Sequence, residues 1–187
     1  MHLLRVRRQL LSINLPDGYR LRVLDEVDST NAEAARIVAQ LAGPEWVLAR
    51  RQTNGRGRRG RAWSDPAGNF AASLVLFPQH PPDQIALRSF VAALALFDAL
   101  VATTGRSDTL ALKWPNDVLY QERKLSGVLL EVTGDAEGPC QVVIGIGLNV
   151  KMPRDASAEI DQPWVDVVSI TDEPASRSEL VALLLNE

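Results

Sequence analysis

Cysteine is almost absent from this sequence. One residue, Cys140, leaves no partner for an internal disulfide and fits a reducing compartment. A clean membrane segment is also missing. The opening stretch MHLLRVRRQLLSINLPDGY has no apolar core of signal-peptide length and no A-x-A-like cleavage site. The most apolar stretch, 85–104, is interrupted by Arg88 and Asp98. A cytoplasmic protein that does not enter a membrane is the expectation. There is no excess of positive charge either: the net charge is −3 and the pI about 5.5, which argues against a dedicated nucleic-acid binder. Lysine is scarce, with Lys113, Lys124 and Lys151 set against seventeen arginines. A chain so biased would use lysine where arginine will not serve.

What is present suits one domain with a real core. Of the 187 residues, 46% are hydrophobic and 23% charged. YRLRVLDEV (19–27) alternates as a strand does. DSTNAEAARIVAQLAG (28–43) then reads as a helix, with Thr30 and Glu33 as its capping box and Gly43 as its end. Strands follow at 46–50 and 69–77, and a long apolar helix at 83–104, stopped by Gly105. Three further strand segments cover 110–114, 118–133 (turning near Glu122 and Arg123) and 140–150, with 134–139 as a hairpin. The region 151–175 carries three prolines and reads as irregular, and 176–187 opens another helix. The sum is an α+β fold: a mixed, largely antiparallel sheet with helices packed on one face.

Three segments could carry chemistry. ARRQTNGRGRRGRAW (49–63) places six arginines among three glycines. Glycine lets the backbone approach a ligand, and guanidinium forks suit carboxylate and phosphate. Proline and a strand follow this loop where a helix would have to, so it is neither a P-loop nor a dinucleotide fingerprint. An anion site, a nucleic-acid grip and a solvated loop all remain open on composition. In LKWPNDVLYQERKLSG (112–127), Lys113 precedes a Trp114-Pro115 pair and a turn offering an amide and a carboxylate. Lys124 lies three residues before Gly127, whose missing side chain leaves room for a ligand. In IGIGLNV (144–150), Gly145 and Gly147 bare one face of a strand, either for helix packing or as a ligand floor.

The strings DSTN, QTNGRGRRGRAW, KWPND, RKLSGVLLE and GIGLNV, in this order and spacing, closely resemble those of biotin protein ligases. The resemblance covers about residues 19–187 and implies a class II aminoacyl-tRNA-synthetase-like fold. It also implies ATP-dependent activation of biotin to biotinyl-5′-AMP, followed by transfer to a lysine of a biotin carboxyl carrier domain of acetyl-CoA carboxylase or a related carboxylase. The implied substrates are biotin and ATP with Mg2+, and no DNA takes part. Whether the chain forms a homodimer is left open.

Carried over by position, Ser29, Thr30 and Asn31 would line the biotin site and Gln52 would close over it. Gly55, Arg56, Gly57, Arg58 and Arg59 would form the loop that folds over biotin and the adenylate, sealed by Trp63. Arg58 would face the carboxylate and phosphate, and Lys124 would contact the acyl-phosphate oxygens. Gly127, Gly145 and Gly147 would floor the pocket. Lys113, Asn116, Asp117 and Asn149 would serve the nucleotide and metal side. Arg58, Lys124, Lys113 and Asp117 are the catalytic candidates, and Asp117 is the metal candidate. Two departures go with the resemblance. The residues before position 19 leave no room for a helix-turn-helix domain, which points to a monofunctional enzyme. The SH3-like domain that usually follows a helix such as 176–187 is also missing, so the whole chain reads as one catalytic domain. A shortened biotin-binding domain with impaired activity is the alternative this raises.

Overall fold

The computed structural model describes residues 15–79, 82–134, 140–153 and 160–171. Seven strands form one sheet in the order β1-β2-β3-β7-β6-β5-β4. The strands are β1 (Arg20–Leu24), β2 (Glu45–Ala49), β3 (Phe70–Leu76), β4 (Leu110–Lys113), β5 (Asp117–Tyr120), β6 (Arg123–Gly134) and β7 (Cys140–Leu148). β1 and β2 pair in parallel across an intervening helix; every other pair is antiparallel. The mixed, largely antiparallel sheet is thus as the sequence implies. β7 returns to pair with β3, which joins the β4–β7 meander to the N-terminal strands.

The helices do not share one face, contrary to the sequence reading. Along β2, β3 and β7 the outward sides alternate. Trp46, Leu48, Phe70, Ala72, Ile144 and Ile146 fall on one side, and Val47, Val75 and Val143 on the other. Helix α3 (Arg88–Thr104) covers the first side through Ala93, Leu96, Ala99 and Leu100. Helix α1 (Thr30–Ile37) covers the second through Ala34 and Ile37. Both faces of the central strands are buried, as helices on opposite sides require. By length and composition Gln84–Thr104 could cross a membrane; in the fold its buried side is the main core.

Local details also shift. Ser29, not Thr30, is the N-cap of α1, its Oγ accepting from Ala32 N at 3.5 Å. Thr30 is drawn to Gln52 instead, and Glu33 pairs with Arg36 rather than closing a capping box. The helix ends at Ile37, with a 3₁₀ turn at 38–40. The long apolar helix is two, α2 (Pro82–Ala86) and α3, separated at Leu87. There Ser89 Oγ donates to Ala86 O at 3.0 Å, taking a carbonyl the helix would use. Gly105 (φ 66) closes α3 with its N–H on Val101 O at 2.8 Å. Gln121 and Glu122, both at positive φ, turn β5 into β6 one residue earlier than expected. A short helix, α4 (Val167–Ile170), is capped by Asp166. The expected helix at 176–187 and most of the expected 134–139 hairpin lie outside the described residues.

Candidate active site

Three segments meet on the α1 side of the sheet, over β3, β7 and β6. They are the N-terminus of α1, the arginine loop, and the β4–β5 turn with the start of β6. Between them lies a cavity of about 710 Å³. Of the residues named from sequence, Ser29, Thr30, Asn31, Gln52, Arg56, Gly57, Arg58, Arg59, Trp63, Lys113, Asn116, Asp117, Lys124, Gly127, Gly145 and Gly147 all line it. Residues more than a hundred positions apart thus converge on one space.

The closed end is built from short polar side chains. Gln52 Oε1 accepts from Thr30 N at 2.8 Å and from the Thr30 hydroxyl at 3.1 Å. Ser73, fully buried on β3, reaches Thr30 Oγ1 at 2.8 Å and Asn31 Oδ1 at 2.5 Å. The Asn31 amide nitrogen donates to Glu131 Oε2 at 2.8 Å and to Leu129 O at 3.4 Å, which fixes the orientation of that amide. The three side chain–side chain contacts among Ser73, Thr30, Asn31 and Gln52 have only the two hydroxyl hydrogens to share. This end is therefore rich in acceptors and suited to a ligand that brings N–H donors. Gly145 lies directly against the Asn31 side chain: a Cβ there would sit 2.9 Å from Asn31 Cγ and closer still to Oδ1. Helix α3 is on the far side of the sheet, so packing of the long helix does not account for GIG; Gly145 lies instead against Asn31 at the start of α1. These glycines are bare for Asn31, Trp63 and the cavity.

The middle of the cavity holds the cations. Lys124 Nζ lies 3.0 Å from Asp117 Oδ1, both side chains largely buried, and 5.5 Å from the centroid of the Trp63 ring. Gly127 faces this pair: an added Cβ would touch Lys124 Cε at 3.3 Å and Asp117 Oδ1 at 3.4 Å. Trp63 lies on Gly147, where a Cβ would come within 2.5 Å of the ring. Its Nε1 is buried with no hydrogen-bond partner among the described residues.

The arginine loop lies across the open side as a hairpin. Gly57 N bonds Arg61 O at 2.8 Å and Trp63 N bonds Gly55 O at 2.9 Å. Of its three glycines Gly60 alone has a positive φ, together with Arg59. Gly55 is needed for space, because a Cβ there would meet Trp63 O at 2.7 Å. The loop's charges are distributed unevenly. Arg50 pairs with Asp25 at 3.3 Å and Arg51 with Glu26 at 3.0 Å at its base. Arg56 lies 4.0 Å from Glu131. Arg58 reaches only the neutral Asn116 Oδ1 at 3.5 Å, and Arg59 and Arg61 have no carboxylate partner among the described residues. Among the described residues the mouth of the cavity thus carries arginine charge without a carboxylate ion-pair partner, on an acidic protein.

Two of the predicted residues have other places. Gly55 and Asn149 line a second cavity of about 470 Å³, beyond Trp63 and Lys124. Asn149 is buried, and its amide donates to Lys124 O at 3.3 Å and Val165 O at 3.1 Å. Through that nitrogen it staples β6 to the 160–166 segment. Sequence reasoning missed Ser73 and Glu131 under the closed end, Trp114 at the rim, and Trp164, Asp161 and Gln162 near Lys124. Trp164 bridges to Lys124 through the backbone, with Lys124 N on Pro163 O at 2.9 Å and Val165 N on Lys124 O at 3.0 Å. Its one signal was a tryptophan in an otherwise irregular stretch. Asp28, just outside the site, has its carboxyl held well below the usual range by Arg36 first and the Ser29 N–H second.

Comparison with known proteins adds the following. Residues 23–149 match the biotin/lipoate A/B protein ligase family. The chain is 53% identical over 136 residues to the biotin–[acetyl-CoA-carboxylase] ligase of Paracoccus denitrificans, covering 73% of this chain and 57% of that one. It is 35% identical over 176 residues to the bifunctional ligase/repressor BirA of Escherichia coli, covering 91% of this chain and 53% of that one. It therefore spans little more than half the length of these curated relatives. The biotin protein ligase of Aquifex aeolicus, solved in complex with biotin and ATP, superposes with a TM-score of 0.73 at 34% identity, covering 89% of this chain and 67% of that one.

Proposed function

The chain belongs to the biotin/lipoate A/B protein ligase family, and on that footing we propose that it is the catalytic part of a biotin protein ligase. It activates biotin with ATP and passes the acyl group to a lysine of a biotin carboxyl carrier domain, in the cytoplasm where ATP and that carrier are found. One observation carries this reading. An acceptor-rich closed end lies on one side of Lys124, and the cationic loop lies on the other. Biotin's cyclic urea supplies N–H donors for the oxygen acceptors of the Thr30–Gln52–Ser73–Asn31 network. Seated that way, its valeryl carboxylate extends toward Lys124 and Arg58.

In the first step a carboxylate oxygen attacks the α-phosphorus of ATP. The bond to pyrophosphate breaks and biotinyl-5′-AMP remains. Two anions must approach each other, and fixed cations reduce that repulsion without reorganising. Lys124, held by Asp117, and Arg58, held lightly by Asn116, are placed for this, with Lys113 at the rim. In the second step the neutral amine of the carrier lysine attacks the acyl carbon; the anhydride bond breaks, AMP leaves and an amide forms.

A magnesium ion fits this site as a companion of the nucleotide rather than a resident of the protein. Among the described residues no cluster of three His, Cys, Asp or Glu is present, and Asp117 already pairs with Lys124. Mg2+ of this kind is bound mainly by phosphates and water, with Asp117 and Asp161 as the carboxylates that line the cavity among the described residues. When bound, it would neutralise phosphate charge.

The test is incubation of the purified chain with biotin, [α-³²P]ATP and Mg2+, with detection of biotinyl-AMP and then of a biotinylated carrier lysine. Lys124→Ala and Arg58→Ala are expected to abolish adenylate formation in folded protein. A folded wild type that gives neither adenylate nor a biotin-dependent thermal shift overturns the biotin reading.

A further inference from the structure

We propose that Glu131 tethers the arginine loop to the sheet and is thereby a positioning residue for the closed end of the cavity. The importance of this for ligand binding rests on the biotin reading; the tether itself does not. Glu131 projects from β6 on the cavity side, two residues beyond Leu129 and in register with Val143. Its Oε2 accepts from the Asn31 amide at 2.8 Å. That amide cannot turn, because its oxygen takes the Ser73 hydroxyl and its side chain lies against Gly145. One carboxylate oxygen is therefore fixed by a buried group, and the other lies 4.0 Å from Arg56 Nη2.

The loop's remaining attachments make this contact matter. Arg50, Arg51 and the Gln52 N–H on Asp65 secure its base. The Thr53 and Asn54 N–H groups add bonds to Val27 O at 2.9 Å and Asp28 O at 2.8 Å; from Gly55 to Trp63 the loop's backbone bonds are to itself, with Arg58 on Asn116 Oδ1 at 3.5 Å as a side-chain contact to the β4–β5 turn. Among the described residues Arg56–Glu131 is the one ion pair between the body of the loop and the sheet, with Trp63 on Gly147 as the apolar counterpart. Arg58, Arg59 and Arg61 repel one another and Arg56, and Glu131 offsets one of these charges. Both partners of the pair are about two-fifths exposed, so the contact is weak and the loop can leave the sheet. A carboxylate that holds Asn31 on one side and Arg56 on the other also links the closed end to its cover.

Limited trypsin digestion of the unliganded protein tests this, because the sensitive bonds follow Arg56, Arg58, Arg59 and Arg61 in the loop itself. Glu131→Gln keeps an oxygen for the Asn31 amide and deletes the charge. Cleavage after Arg58 and Arg59 is expected to accelerate about three- to fivefold, as loss of a weak ion pair raises the open population, with melting temperature unchanged. Arg56→Gln, made on the loop where folding is not at stake, should give the same acceleration, and the double variant no more than either. In turnover Glu131→Gln should raise the KM for biotin and leave kcat near wild type, a split that a merely structural role would not produce. Equal cleavage of wild type and both single variants, or additive effects in the double, overturns the tether. The digestion contains no biotin, so a wild type that fails to bind biotin sinks the ligase reading and leaves the tether result in force.

Discussion

Replacing Gly145 by alanine puts a methyl carbon into space that the Asn31 amide occupies, 2.9 Å from its Cγ. The backbone of β7 is paired on both sides, so the side chain must give way. Asn31 would then lose its contacts with Ser73, Glu131 and Leu129. Glu131 can turn to water, but Ser73 and Asn31 are buried at 0% and 3% exposure and cannot. At about 1–3 kcal/mol for each buried group left unpaired, the loss is about 2–6 kcal/mol. For a chain of this size that is a fall in melting temperature of roughly 4–24 °C. The same change at Gly147 meets the Trp63 ring at 2.5 Å. That ring belongs to the loop, and its indole nitrogen has no hydrogen bond to lose. Gly147→Ala should therefore cost less than about 1 kcal/mol of stability, within the range of changes that spare the core, yet weaken biotin binding by displacing the cover. Thermal and urea melts of both variants, with biotin titration calorimetry, separate the two effects. If Gly145→Ala melts with wild type, or Gly147→Ala falls as far, the roles given to Asn31 and Trp63 are wrong.

Arg58→Ala should lower the rate of adenylate formation about a hundredfold or more while the melting temperature stays within about 1 °C, since the side chain contacts only Asn116; a variant that adenylates normally removes Arg58 from the chemistry. Asn149→Ala leaves the Val165 carbonyl without its amide donor, while Lys124 O keeps the Val165 N–H, and should cost about 1–3 kcal/mol in a urea melt, with a drop in adenylate formation as the 160–166 segment loosens against Lys124. Asp28 has a lowered folded-state pKa, so its contribution to stability is present above the ordinary aspartate range and is lost as pH falls through that lowered value. Asp28→Asn should thus lower the melting temperature at neutral pH by a small amount, the pair being exposed, and the gap to wild type should narrow on titration to about pH 2.

The sequence reveals the contents of the site better than the frame that holds it. Sixteen of the carried-over residues line one cavity because DSTN, the arginine loop, KWPND and the glycine strand are strings tied to chemistry, and their side chains are local facts. The two-sided helix cover was hidden because β2, β3 and β7 are apolar on both faces. Trp46, Val47 and Leu48 are all buried, so no polar alternation marks which side meets which helix. The β3–β7 pairing joins segments about seventy residues apart, and no local pattern fixes such a register. Thr30 and Glu33 looked like a capping box on spacing alone; the tertiary partner Gln52 decided the matter in favour of Ser29. Glu131 ends the RKLSGVLLE string without being marked out as a site residue, and Ser73 carries no signal of its own. Each matters only because Asn31 arrives from a distant helix.

The arginines at the cavity mouth also bear on how ligands arrive. The molecule as a whole is acidic, with a net charge of −3. An anion at long range gains nothing from it. Within about 8 Å at physiological ionic strength the local field of Arg58, Arg59 and Arg61 takes over. Capture of ATP should then slow as salt is raised, while encounter with an uncharged analogue of biotin should hardly change. The same local charge favours an acidic surface around the lysine of an incoming carrier, so added salt should slow the carrier's encounter as well.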